Sequence, residues 1–267
     1  MRQRFESFYS NTTKMLYTPL EQFQILSLVQ ITFFSLDLSI TNVLLINLLT
    51  LAIITSIIYF TGSNTNEAKK TFFFFIPNSW QKCIELVSET TAQLTTEIIQ
   101  SNADKYFPII STLFSFILLN NLIGLIPYTF TTTSHLFITF SLSFSVFIGI
   151  NIITFEKYKL KAFSLFLPAN TTFFLALLLV PIEFISYIAK PISLGVRLFI
   201  NLMAGHTLLK VIVGFSWSML LLETFTSIGL VIPLITLVVL FGLELGVALI
   251  QTYVFIVLTC IYIQDGS

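Results

Sequence analysis

Arg197 is the only arginine beyond position 4, and it stands inside PISLGVRLFINLMAGH with long apolar runs on both sides. Insertion scales put a central membrane arginine at about 2.5 to 3.5 kcal/mol, so such a charge faces protein or a water-filled cavity rather than lipid. The ordinary alternative is an arginine snorkelling from a helix end. Against it, Arg197 has polar company at helical intervals: Glu183 fourteen residues before, Lys190 seven before and Asn201 four after. These fall on or near one helical face. His206, nine residues on, points to roughly the opposite side, which implies two environments along one element.

The last apolar stretch supplies Glu223, Glu244, Gln251 and Asp265. Facing residues of an antiparallel helical hairpin have nearly constant index sums. Glu183 with Asp265 gives 448, Arg197 with Gln251 gives 448 and His206 with Glu244 gives 450, which puts the turn near Thr224. Two antiparallel helices are therefore expected to carry an acidic pair at one end, a His–Glu pair toward the other, and Arg–Gln between them. That set suits proton transfer. Histidine titrates near neutrality and partial burial moves carboxylates toward it, so both residue types exchange protons at physiological pH. A lone His206 would read as a core histidine; Glu244 at its register position reverses that preference. Guanidinium keeps its charge where a buried lysine would not, so Arg197 could attract a passing carboxylate and repel a leaking proton. A charge pair at 4 Å is worth about 4 kcal/mol at an effective dielectric near 20.

The elements that would position these groups belong in a bilayer. Of 267 residues, 55% are hydrophobic and 10% charged, too few polar groups to cover one soluble globule. After an N-terminal segment, 1–38, the apolar run 39–60 reads as a spanning helix. Residues 79–104 read as an amphipathic interfacial helix, with Ile84, Val87, Leu94 and Ile98 on one face and Glu85, Glu89 and Glu97 on another. Further spans are expected at 107–127 and 136–155. The stretches 169–213 and 217–263 are each about 45 residues long, or nearly 70 Å as helix, so neither fits an upright span and each is either two segments or one strongly tilted helix. The expected fold is an all-α polytopic membrane protein. It would have upright spanning helices, one interfacial amphipathic helix and a C-terminal hairpin of two long, strongly tilted helices.

Other chemistries lack their residues. Net charge is zero and the lysines are scattered, so no nucleic-acid surface is indicated. Cys83 and Cys260 make neither a disulfide framework nor a metal site, and no Walker, metal or haem motif occurs, so no cofactor is expected. The first residues, MRQRFESFYSNTTK, resemble neither a secretory signal nor a transit peptide. Lys157, Lys159 and Lys161 and the Lys69–Lys82 region favour the compartment of synthesis, while Arg2, Arg4 and Lys14 argue the other way. The wealth of Phe, Ile, Leu, Asn and Thr resembles translation from an AT-rich genome such as an organelle's.

The strings SLGVRLFINLMAGH and GLELGVALIQTYVFIVLTCIYI closely resemble the two signature segments of the ATP synthase subunit a family. NNLIGLIPYTFTTTSH resembles that family's segment at the end of an early span, and TPLEQFQI the N-terminal region of its mitochondrial members. The resemblance implies a non-catalytic, stationary subunit with two offset half-channels serving a rotating ring of c subunits. It implies as partners that ring, peripheral-stalk and small membrane subunits, the lipid bilayer and protons. Arg197 would be the family's essential arginine, and Glu183 and Asp265 would line the half-channel on the catalytic-head side. His206 and Glu244 would line the opposite one, with Asn201 and Gln251 as polar neighbours of the arginine. Asn120 and Asn121 match a polar region of the intake channel, and are equally expected as interhelical hydrogen-bonding groups. The order of the pair, His before Glu, resembles that of mitochondrial members. It implies the mitochondrial inner membrane, with a bacterial plasma membrane as the alternative. Ile200 departs from the family, where a small residue is common.

Two rivals remain. A secondary transporter predicts an internal repeat, and none is found. A structural subunit of a respiratory complex leaves the shared register unexplained.

Overall fold

The computed structural model describes residues 23–33, 36–37, 39–67, 79–100, 103–126, 129–159, 173–221 and 227–266. The chain enters through two short antiparallel ladders. β1 (Ser27–Val29) pairs with β4 (Ile40–Thr41), and β2 (Thr32–Phe33) pairs with β3 (Leu36–Asp37). Asn42 ties them to the first helix: its side chain accepts from the Leu26 N–H at 3.3 Å and donates to the Gln24 carbonyl at 3.2 Å.

That helix, α1 (Asn42–Glu67), runs through the apolar stretch and on into the polar TGSNTNE. α2 (Ser79–Ile99) buries Thr91, Leu94, Thr95 and Ile99 while Lys82, Glu89 and Glu97 stay exposed, and it packs along α3 and α6. The Thr91 and Thr95 hydroxyls donate back to the carbonyls of Ser88 and Ala92, which lets them be buried without a foreign partner. Gln100, at φ 51°, closes the element in the left-handed region.

α3 (Ala103–Gly124) buries Tyr106, Ile110, Ile117, Asn120, Asn121 and Gly124, an inward stripe at helical spacing. α4 (Leu136–Tyr158) buries Thr139, Ser143, Ile150 and Thr154, a face made mostly of small hydroxyl residues. Faces of that kind let membrane helices approach closely.

α5 (Phe173–Leu221) and α6 (Ser227–Gly266) have 49 and 40 residues. At 1.5 Å per residue they measure about 73 and 60 Å, twice the thickness of a hydrocarbon core. α5 packs against α4 on one side and α6 on the other. Leu194, Leu198 and Leu202 of α5 meet Phe255, Ile256, Cys260 and Ile263 of α6 in a core shared with α2, α3 and α4.

Outside that core the helices turn apolar side chains outward, with Leu177, Ile185 and Val238 each more than 60% exposed. Among the described residues four helices are long and apolar enough to cross a membrane: Ala103–Gly124, Leu136–Tyr158, Leu177–Trp217 and Val231–Gln264. The protein is thus an all-α polytopic membrane protein, to which the short ladders before α1 are a small addition. Cys83 and Cys260 are both free, one exposed and one in the core.

Candidate functional site

Gly195 sets the position of the middle of α5. A Cβ there would meet Ser143 Oγ at 2.6 Å, the Thr139 carbonyl oxygen at 3.1 Å and Phe140 Cα at 3.2 Å. Only the missing side chain lets α5 lie this close to the backbone of α4. With Gly195, Leu194, Leu198 and Leu202 turned inward, the helical repeat turns Arg197, Ile200, Ala204 and Leu208 outward, and all four are exposed.

Arg197 and the half-buried Gln251 line one small pocket together with Leu194, Leu198, Val254, Phe255 and Leu258. The arginine thus rests against α6 with its charge on the outer face of the α5–α6 pair. Asn201 is half-buried one turn further along.

Toward the hairpin turn, Glu244 of α6 is buried at 8% exposure and lies against Gly205. Both of its carboxylate oxygens are buried without a hydrogen-bond partner, and so is Nε2 of the half-buried His206. Glu244 and His206 therefore occupy neighbouring positions across the crossing but share no hydrogen bond. Glu223 lies outside the described residues.

A polar strip continues from Glu244 toward α3. Ala248 and Thr252 follow on the same face of α6, and Asn121 Nδ2 donates to Thr252 Oγ1 at 3.1 Å and to the Ala248 carbonyl at 3.4 Å. Beside it, Thr132 Oγ1 donates to Asn120 Oδ1 at 3.2 Å. Thr131, Thr132, Thr133 and Ser134 are all buried, and Asn121 Oδ1, Thr133 Oγ1 and His135 Nε2 lack partners. Asn121 thus joins α3 to α6, and Asn120 ties α3 to the loop before α4.

At the other end of α5, Glu183 is half-buried. Asp265 lies on the last turn of α6, with its side chain outside what is described, so the expected acidic pair has one described member. Between Glu183 and Arg197 the structure assembles a group that residue type alone does not announce. Lys190 stands over the rings of Tyr187 and Tyr262, and the Tyr187 hydroxyl donates to Asn151 Oδ1 of α4.

Sequence spacing reaches Lys190 but not its holders, because tyrosines in an apolar helix are ordinary. Thr252 was equally silent, although its place eight residues after Glu244 was a usable signal. Among the described residues no group of three or more His, Cys, Asp or Glu side chains could hold a metal ion.

A family model described as ATP synthase A chain matches residues 44–264. Among relatives named ATP synthase subunit a, that of Marchantia polymorpha is 42% identical over 255 residues, spanning 94% of this chain and 98% of its own. The one from Pylaiella littoralis is 45% identical over 252 residues, spanning 94% and 98%. The one from Oenothera berteroana is 43% identical over 264 residues, spanning 97% and 92%.

Proposed function

The chain belongs to the ATP synthase A chain family, and on that premise we propose that it is the stationary, non-catalytic proton-translocating subunit of a rotary ATP synthase. Its site is the outward face of α5 and α6, covered in the assembly by a ring of c subunits whose carboxylates pass Arg197. Peripheral-stalk and small membrane subunits hold it still, and the mitochondrial inner membrane is its location.

The observation that carries this reading is the placement of one exposed guanidinium between two polar groups on a single pair of helices. His206 lies nine residues from Arg197 and Glu183 fourteen on the other side, about 13 and 21 Å along the axis. Behind the arginine the helix turns Leu194, Leu198 and Leu202 into the core, an apolar stretch that separates the two groups on the inner side of α5. A proton arriving at one group therefore has a dead end unless a moving carrier takes it on.

In the proposed cycle a proton enters past Glu223 and reaches His206 and Glu244. The unpartnered oxygens of Glu244 and Nε2 of His206 are hydrogen-bonding capacity that water or a proton would fill, since orphaned buried polar atoms otherwise cost several kcal/mol. The proton then neutralises a ring carboxylate, which can face lipid in that state. When the ring brings a carboxylate round to Arg197, the guanidinium favours its ionised form. The released proton leaves past Glu183 and Asp265. Asn201 and Gln251 flank the arginine and limit where its charge can swing. Each elementary charge crossing supplies about 2.3 kcal/mol per 100 mV, which rotation carries to the catalytic head.

Arg197→Ala in the reconstituted complex tests the proposal. The expected result is loss of coupled ATP synthesis together with a passive proton leak. Full coupled synthesis in that variant would refute it.

A further inference from the structure

Lys190 is the polar residue of the α5 stripe that the proposed cycle does not use. Its Nζ stands 4.8 Å from the centroid of the Tyr262 ring on α6 and 5.6 Å from that of Tyr187 on its own helix. Tyr187 is itself fixed, because its hydroxyl donates to Asn151 Oδ1 on α4 and its ring packs 5.0 Å from Phe147 at 54°. Three helices thus hold one ammonium group. A lysine that only reached toward headgroups would leave its flexible stem free, with no need of two ring faces.

The spacing gives this group a place. Lys190 is seven residues from Arg197 and seven from Glu183, so each lies about 10 Å away along the axis, and a helix drifts only about 20° per seven residues. All three therefore share one side of α5, in the order arginine, lysine, carboxylate.

Two elements pack against α5 here. α4 contributes Glu156 and Lys157 near its C-terminal end, both exposed, and the neutral Asn151. α6 contributes Tyr262 and the neutral Gln251, and the side chain of Asp265 on its last turn lies outside the described residues.

We infer that Lys190, clamped by Tyr262 and Tyr187, keeps a second stationary positive charge in the Glu183 passage, where it makes hydronium scarce and opposes the return of protons toward Arg197. The inference rests on the proposal that Glu183 lines a proton passage. A positive charge about 10 Å away repels a hydronium strongly in a medium of dielectric near 20, and water in the passage screens part of that. Lys190 would thus bias the passage toward release and against uptake.

ATP-driven proton pumping in the reconstituted complex loads protons from the Glu183 side, so its decline with rising pH on that side reports how readily they enter. Lys190→Met should carry that decline upward by roughly half a pH unit. Lys190→Arg, which keeps the charge and stacks on aromatic faces, should leave it in place. Tyr262→Leu should shift it in the same direction as Lys190→Met, while Tyr262→Phe keeps a ring face and keeps the profile.

An unchanged profile in assembled Lys190→Met complex would overturn the inference, as would Lys190→Arg shifting as far as Lys190→Met. If Lys190→Met fails to assemble, the Tyr262 pair decides: equal profiles for Leu and Phe would overturn it. Arg197→Ala in the same preparation separates the two levels. If that variant is uncoupled while Lys190→Met is silent, only the role of Lys190 falls.

Discussion

Gly205 and Glu244 touch across the α5–α6 crossing. A Cβ on Gly205 would collide with Glu244 Oε1 and stand 3.0 Å from its Cδ and 3.1 Å from its Cγ. The glycine therefore makes the recess in which a buried carboxylate sits one position from His206. What it would clash with is the movable end of a side chain, not backbone. Gly205→Ala should accordingly leave the fold intact, and helix propensity alone favours alanine there by up to about 1 kcal/mol. The carboxylate, however, must swing out of its recess. Coupled ATP synthesis is expected to fall on the order of tenfold, since misplacing a reacting group by about 1 Å has effects of that order or larger. Normal synthesis at normal assembly would show that the position of Glu244 is not critical.

Gly195 has the opposite character. A Cβ there would meet the Thr139 carbonyl oxygen at 3.1 Å and Phe140 Cα at 3.2 Å, which cannot move without moving α4. Gly195→Ala should destabilise the chain by about 1 to 3 kcal/mol, the usual range for overpacking. Gly149→Ala is the control, because a Cβ there meets nothing within 4 Å. Thermal stability of the detergent-solubilised complex should drop for the first and hold for the second. Equal behaviour would mean that α4 and α5 are not in close contact in the assembly.

The membrane character and the long final pair of helices were legible because they rest on composition and on apolar run length, which the bilayer thickness converts directly into geometry. The register arithmetic needed only two helices of constant rise. The contacts that share its register in the structure are Arg197 with Gln251 in one pocket and Gly205 against Glu244, with Lys190 over Tyr262 close to it. What remained hidden depends on third elements. No pattern in α5 announces that Asn151 of α4 would fix Tyr187, and none in α6 that Asn121 of α3 would find Thr252. Likewise, the arginine could be expected to avoid lipid, but only the packing of Leu194, Leu198 and Leu202 reveals which face is left open for it. The small ladders before α1 carry too few residues for any period to register.

The bond from Asn121 Nδ2 to Thr252 Oγ1, 3.1 Å long and buried, joins α3 to α6. Thr252→Val should cost about 0.5 to 1.5 kcal/mol by taking the closer of two acceptors from the amide. Asn121→Leu should cost more, because it also loses the contact with the Ala248 carbonyl at 3.4 Å. The double variant should be less destabilised than the sum of the two, with a coupling near 1 kcal/mol. An unfolding cycle in mixed micelles measures this. Strict additivity would mean that the two side chains do not interact.

His135 lies just before the span Leu136–Tyr158 and offers a pH-dependent handle on the loop that precedes it. Its ring stacks on Phe130 with centroids 5.0 Å apart, its Nε2 is buried without a partner, and burial lowers its pKa from the ordinary 6.5. The sign follows from linkage. An opened loop takes up a proton at the ordinary imidazole value, whereas the closed loop resists until lower pH. Stability of the closed form is therefore complete above 6.5 and is lost as the pH falls from there toward the lowered folded value. His135→Phe keeps an aromatic ring against Phe130 and removes the titration. Amide hydrogen exchange over residues 129–135 should quicken in the native chain as the medium is acidified from neutrality, after correction for intrinsic exchange, and hold steady in the variant. The same acid response in both would place the titrating group elsewhere.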